Sequence, residues 1–189
     1  MRTLLPLAVL LAFAALAGCS TAGTVALSRP VQALAPAFVG SWRLDASTST
    51  SIDPWANLGL RIALDGDAVT VVRHWTGSRE GGTSTDSVRV VTGGPAVTVR
   101  MDQWADNRHL GAFLTADSSK SVTARVEDRG ATLVTESRVE LVVQQGEIPV
   151  RTTTEYRISP GGMRLDVLEL RSTRPTPIHY VFARVQPGS

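Results

Sequence analysis

Side chains able to do chemistry are sparse in this 189-residue chain. Its one cysteine, Cys19, ends an apolar run and follows two small residues, Ala17 and Gly18. The three histidines, His74, His109 and His179, are far apart, so a metal or haem site would need the fold to gather them. Surface or hydrogen-bonded strand positions suit them better. The only lysine, Lys120, lies in the polar run Asp117-Ser118-Ser119-Lys120-Ser121, which reads as a solvated turn rather than a Schiff-base site. Asp65-Gly66-Asp67 lacks the later ligands of a calcium loop and reads as a tight turn. No Gly-x-Ser-x-Gly elbow, His-Glu-x-x-His pair or Gly-x-x-x-x-Gly-Lys phosphate loop occurs. No catalysis, metal or cofactor is therefore expected. Trp55, Trp75 and Trp104 are the side chains best suited to a binding role. Trp55 follows Asp53-Pro54 in a long loop, and loops at a barrel mouth contact ligands more often than strand interiors do.

The elements that position these residues begin with an address. Arg2 gives a positive start, and residues 4–16 are an almost unbroken apolar run. That run is short for a membrane span and suits the core of a signal peptide. Residues 20–36 are rich in Ser, Thr, Ala and Pro and read as a flexible tether. The formal charge is +2, close to neutral with or without Arg2, and no segment concentrates one sign. Nothing marks a nucleic-acid partner. A single cysteine permits no disulfide within the chain, so stability must come from a core and backbone pairing.

From Phe38 onward, short runs of Val, Thr, Leu and Arg alternate with Gly, Asp, Pro and Ser clusters, the pattern of strands and turns. Phe38, Gly40, Trp42 and Leu44 share a face, as do Leu58, Leu60, Ile62 and Leu64. A return strand follows over residues 68–75, then a polar loop over 76–83 and strands over 87–91 and 96–103. Residues 104–117 fit a loop with a short helix, or a distorted strand through 110–115. Val122, Ala124 and Val126 face one way, as do Leu133, Ser137, Val139, Leu141 and Val143, and then Thr152, Thr154, Tyr156 and Ile158. Near the end the phase slips, with Leu168 and Leu170 on the opposite parity from Leu165 and Val167. A β-bulge provides such a slip, and so does a strand covered on both faces. Parallel strands need long crossovers that this chain has no room for. The expected fold is all-β, an antiparallel meander of about 8–10 strands. Sequential hairpins favour a closed barrel over a sandwich, because closing removes the edges.

Two resemblances sharpen this. Leu16-Ala17-Gly18-Cys19, behind its apolar run, resembles the lipobox of bacterial lipoproteins. That resemblance implies a signal peptide over 1–18, acylation of Cys19 and a tether over 19–37. Ser20 after the cysteine resembles the pattern of lipoproteins sent to the outer membrane, which implies the periplasmic face of the cell envelope. Phe38-x-Gly40-x-Trp42 resembles the first signature of lipocalin-type barrels. It implies a lipocalin-like barrel over 38–189, with Trp42 closing the floor and Arg184 from the last strand lying across its ring. Tyr156-Arg157-Ile158-Ser159-Pro160-Gly161-Gly162 resembles a strand-turn of lipocalin-like envelope proteins. The Thr-Asp-Tyr motif of larger lipocalins is missing.

Two functions follow as expectations. In one, the barrel binds a small hydrophobic or amphipathic molecule, through Trp55, Trp75, Trp104, Met101 and Tyr156. The lining would be mostly aliphatic, with Val99, Val139 and Leu141 inward and Thr152 and Thr154 leaving space. In the other, the barrel is filled and the chain is a non-catalytic module that meets an envelope protein partner. The free volume inside the barrel separates the two.

Overall fold

A strand buried on one face alternates apolar and polar residues, and this chain does so almost throughout. The computed structural model describes residues 32–77, 82–105 and 112–186. Cys19, His109 and the signal region lie outside the described residues.

Among the described residues, eleven strands run in chain order: β1 (Gly40–Leu44), β2 (Trp55–Asp65), β3 (Ala68–Gly77), β4 (Thr83–Val91), β5 (Val97–Arg100), β6 (Phe113–Leu114), β7 (Ser119–Glu127), β8 (Thr132–Val143), β9 (Gly146–Ile158), β10 (Arg164–Arg171) and β11 (Ile178–Arg184). They form one sheet in the order β4-β3-β2-β1-β11-β10-β9-β8-β7-β5, with β6 paired to β8. Every pairing between strands is antiparallel, and the first and last strands lie side by side, Trp42 opposite Arg184. The sheet is a meander nearly closed into a barrel. At the seam, β4 meets β7 through one Thr92–Ala124 bridge and a Gly93 N–H bond to the Ala124 carbonyl at 2.8 Å.

The floor is apolar. Phe38, in the short 3-10 turn Pro36–Phe38, is buried with Trp42, Leu58, Ile62, Leu165 and Phe182. The Trp42 indole donates to the Phe38 carbonyl at 3.1 Å. Leu34 is buried and the Ala35 N–H bonds the Gly130 carbonyl at 3.0 Å. The packed body therefore reaches into the range read as tether. Gly130 makes this close approach possible: its φ is +95°, and a Cβ there would sit 2.6 Å from the Ala33 carbonyl oxygen.

Several local expectations need correction. β10 keeps continuous register with both neighbours, so it has no bulge. Its inward positions are Leu165, Val167 and Glu169, and Leu170 stands 42% exposed outside. The strand read as 87–91 starts earlier, at Thr83, and the one read as 96–103 is only Val97–Arg100. In the 104–117 stretch, Phe113–Leu114 is the strand among the described residues. β3 and β4 form the edge at which a polar loop was expected, because their ladder extends to Thr76 opposite Thr83.

Candidate functional site

The inward positions change character at one level of the barrel. From the floor upward, β3 presents Val69, Val71, then Arg73; β4 presents Val90, Val88, then Asp86; β10 presents Leu165, Val167, then Glu169 and Arg171; β7 presents Ala124, Val122, then Lys120. The registers set these side by side, with Val71 opposite Val88 and Arg73 opposite Asp86. An apolar tier thus carries a charged tier, and a cavity of about 90 Å³ lies against it.

The charged tier is tightly bonded. Glu169, with a side chain 1% exposed, accepts from Arg73 Nη1 at 2.8 Å and from Arg171 Nε at 2.7 Å. Arg73 also donates from Nη2 to the Tyr156 hydroxyl at 2.7 Å. Lys120 Nζ reaches both oxygens of Asp86 at 2.5 Å, a link from β7 to β4 across the seam. Burial pulls the Lys120 ammonium below its ordinary range, against the pull of Asp86. Burial likewise takes the Arg171 guanidinium down to about 10. Burial pushes the Tyr156 phenol up. Arg73 goes the other way: burial opposes its charge, but Tyr156, Glu169 and Asp86 outweigh that and raise its pKa.

Residues 101–105 lie over this end of the barrel and touch it on several sides. The Met101 N–H bonds the Ser118 carbonyl at 2.6 Å, and the Gln103 amide donates to the Thr83 carbonyl at 3.3 Å. Trp55 Nε1 donates to the Ala105 carbonyl at 2.8 Å. The Arg171 guanidinium sits over the Trp104 ring, 5.3 Å from its centroid. Met101 and Trp104 pack with Val139, Leu141 and Val150 in a second apolar cluster.

The residues singled out from sequence are placed as follows. Trp75, Trp104, Met101 and Tyr156 line the cavity, as do Val139, Thr152 and Thr154. Trp55 holds the covering segment rather than lining the cavity. At the floor, the Arg184 guanidinium lies 4.2 Å from the Trp42 ring centroid. Its Nε donates to the Gly162 carbonyl at 2.6 Å and its Nη1 to the Val39 carbonyl at 2.8 Å, and its Nη2 bonds the Ala37 carbonyl. Gly40 leaves the space for this, since a Cβ there would stand 2.6 Å from Arg184 Nη1. His74 bonds Thr85 and His179 faces Asp166 at 3.3 Å, both exposed. Among the described residues no group of three His, Cys, Asp or Glu could hold a metal ion.

Two expectations fail. The lining is not mostly aliphatic, because Arg73, Asp86, Lys120, Glu169 and Arg171 are part of it. Lys120 is not in a solvated turn: it is 8% exposed, on the inward parity of Val122 and Ala124. Parity alone was the signal. Each of these five charges sits two residues beyond an inward residue of its own strand.

No known family model matches the chain, and no curated protein matches it. Among solved structures, secretory abundant heat soluble protein 4 from Ramazzottius varieornatus is similar over 82% of this chain and 99% of its own, at 10% identity and a TM-score of 0.50. The fatty-acid-binding protein from Manduca sexta aligns over 77% of this chain and 98% of its own, at 12% identity and a TM-score of 0.43. At such identity the likeness is one of fold, a lipocalin-like β-barrel.

Proposed function

We propose that this chain is a lipid-anchored envelope protein whose barrel takes a small hydrophobic or amphipathic ligand at its covered end. The observation that carries the ligand reading is the cavity itself. Its lining combines apolar side chains, Val71, Val88, Val122 and Val139, with the charged tier. A lining of that kind orients a molecule with one polar end. The volume of about 90 Å³ has room for several waters and is far below the 300–1,000 Å³ of pockets for drug-sized ligands. The ligand is therefore small, or places only one end inside.

Anchoring rests on the lone Cys19 behind its apolar run. It would hold the chain at the periplasmic face of the outer membrane. The outer face of the barrel supports a position beside a bilayer rather than within one. It carries ion pairs such as Arg125–Glu136, Arg138–Glu140 and Arg164–Asp166, where a membrane barrel presents an apolar band.

Tryptophan emission titrated with a panel of lipophiles tests the ligand reading, with quenching expected from Trp75 and Trp104. Labelled palmitate tests the anchor: it enters the wild-type chain and not the Cys19→Ser variant. One observation favours the second reading, an interaction module. Phe113 is 67% exposed and pairs across strands with the exposed Val142, an apolar spot on the outer face. An inert emission spectrum across the whole panel would turn the assignment to that module.

A further inference from the structure

We propose that Lys120 is a site of covalent capture, whose amine condenses with a short aliphatic aldehyde in the cavity and stays bonded to Asp86 as a protonated imine. The proposal rests on the ligand reading above for its cavity and adds a reaction to it.

The first support is the choice of residue. The chain has nineteen Lys and Arg side chains, and Lys120 is the only lysine among them. An arginine would tie β7 to β4 with a rigid two-pronged pair, but a guanidinium neither gives up its proton nor attacks a carbonyl. The one basic side chain able to do both lines the cavity. The second support is its setting. The Lys120 side chain is 9% exposed and that of Asp86 22%. Nζ stands 2.5 Å from each Asp86 oxygen, so a proton acceptor is in place. Burial pulls the ammonium below its ordinary range, against Asp86, and the Arg73 guanidinium pulls the same way as burial. Desolvation and a neighbouring cation are two means by which a lysine amine becomes a nucleophile. The third support is the room. Val88, Val122 and Val139 line the same cavity of about 90 Å³, the space of several waters, which suits a short alkyl chain and not a long one. The step balances without a further reagent. Nζ gives a proton to Asp86, and its lone pair attacks the carbonyl carbon. The carbonyl oxygen takes a second proton from the nitrogen and becomes a hydroxyl. Asp86 returns its proton to that hydroxyl, which leaves as water while the C=N bond forms. The imine nitrogen keeps one proton and the positive charge, so Asp86 faces a cation before and after.

The test is reductive trapping at neutral pH. The purified protein, with Nα-acetyl-lysine in the same tube, is treated with propanal and cyanoborohydride, and peptide mapping by mass locates the propyl group. Lys120 is expected to react about tenfold or more faster than Nα-acetyl-lysine, a margin below what a placed acid–base group contributes. Naphthaldehyde, too large for the cavity, is expected to show no such lead. Asp86→Asn keeps the amine and removes the proton carrier, and the lead with propanal is expected to fall about tenfold. Should that variant fail to fold, the comparison of the two aldehydes on the wild type decides. Lys120 reacting no faster than Nα-acetyl-lysine overturns the proposal, and quenching by the lipophile panel in the same preparation leaves the ligand reading standing. A lead shared by naphthaldehyde overturns the class of substrate, and a lead undiminished in Asp86→Asn overturns the role of the carboxylate. The expected lead with an emission spectrum that no lipophile changes sustains the proposal and narrows the ligand to carbonyl compounds.

Discussion

Glu169→Gln is the sharpest single test of the charged tier. The substitution keeps volume and an acceptor oxygen, so it opens no cavity and isolates the charge. In the wild type that carboxylate is 1% exposed and serves both Arg73 and Arg171. Removing one member of a buried ion pair costs about 3–5 kcal/mol, because the remaining charge stays out of water. Here one carboxylate stops serving two guanidiniums, but Arg73 is 15% exposed and keeps the Tyr156 hydroxyl, and Arg171 keeps a further interaction. A cost of about 3 kcal/mol is therefore expected. Domains of this kind are stable by about 5–15 kcal/mol, so the variant still folds. With a urea slope of about 2 kcal/mol per molar, the midpoint falls by about 1.5 M at unchanged slope. The triple variant Arg73→Met, Glu169→Leu, Arg171→Met removes Glu169 together with both of its guanidinium partners. It is expected to return to within about 1 kcal/mol of the wild type, since apolar groups of similar size often replace a buried ion pair without loss. A midpoint shift below about 0.3 M for Glu169→Gln, or a triple variant no more stable than it, would refute the reasoning.

Other outcomes follow from the same geometry. Arg184→Met removes the guanidinium from the Trp42 ring and its bonds to three carbonyls, for an expected loss of about 2 kcal/mol in urea unfolding. Gly40→Ala places a Cβ 2.6 Å from that guanidinium at a φ of +143°, and is expected to cost about 1–3 kcal/mol by the same measurement. Trp55→Phe deletes the bond to the Ala105 carbonyl, and an expected loss of about 1 kcal/mol is read by urea unfolding. Asp166 is held below the usual carboxylate range, chiefly by its bonds from Arg164. Its folded pKa lies below its unfolded one, so its contribution is present above about pH 4 and is lost as pH falls through the folded value. The unfolding midpoints of wild type and Asp166→Asn are expected to differ near neutrality, by about 0.2–1 kcal/mol, and to converge toward about pH 2.

How much of this was legible depended on whether parity was followed past a charge. Trp42, Leu60, Val122 and Leu133 announced their faces because apolar and polar residues alternated around them. In β10 the same rule points inward at Leu165, Val167, Glu169 and Arg171. A carboxylate at an inward position looks like an error of phase, and the parity of Leu168 and Leu170 left two accounts, a bulge or a strand covered on both faces. The ladder settles it against the bulge, because six consecutive residues of β10 pair with β11 without a break. Glu169 is tolerable inside only because Arg73 comes from β3, 96 residues earlier, and no local window contains both. Lys120 was misread for the same reason: its partner Asp86 lies 34 residues away, across the seam. The covering segment was illegible in another way. Residues 101–105 carry no period, and their place is set by contacts with β2, β4, β10 and Ser118 just before β7.

The two tiers divide the labour of the barrel. Phe38, Trp42, Leu58, Ile62, Leu165 and Phe182 fill the floor, and the first and last strands meet there through Trp42 and Arg184. That tier contains what closure and a core require. The upper tier adds a smaller apolar cluster around Val139, Leu141 and Val150, and it also places five charges and a phenol around a small void. Desolvating charges is unfavourable, and their mutual attraction offsets it only in good geometry. Folding alone is expected to be met by the apolar alternative at those same positions. If the triple apolar variant matches the wild type in stability yet its tryptophan emission no longer responds to the lipophile panel, the cluster belongs to recognition and not to the fold. If it responds as the wild type does, the charges of the upper tier are not what reads the ligand.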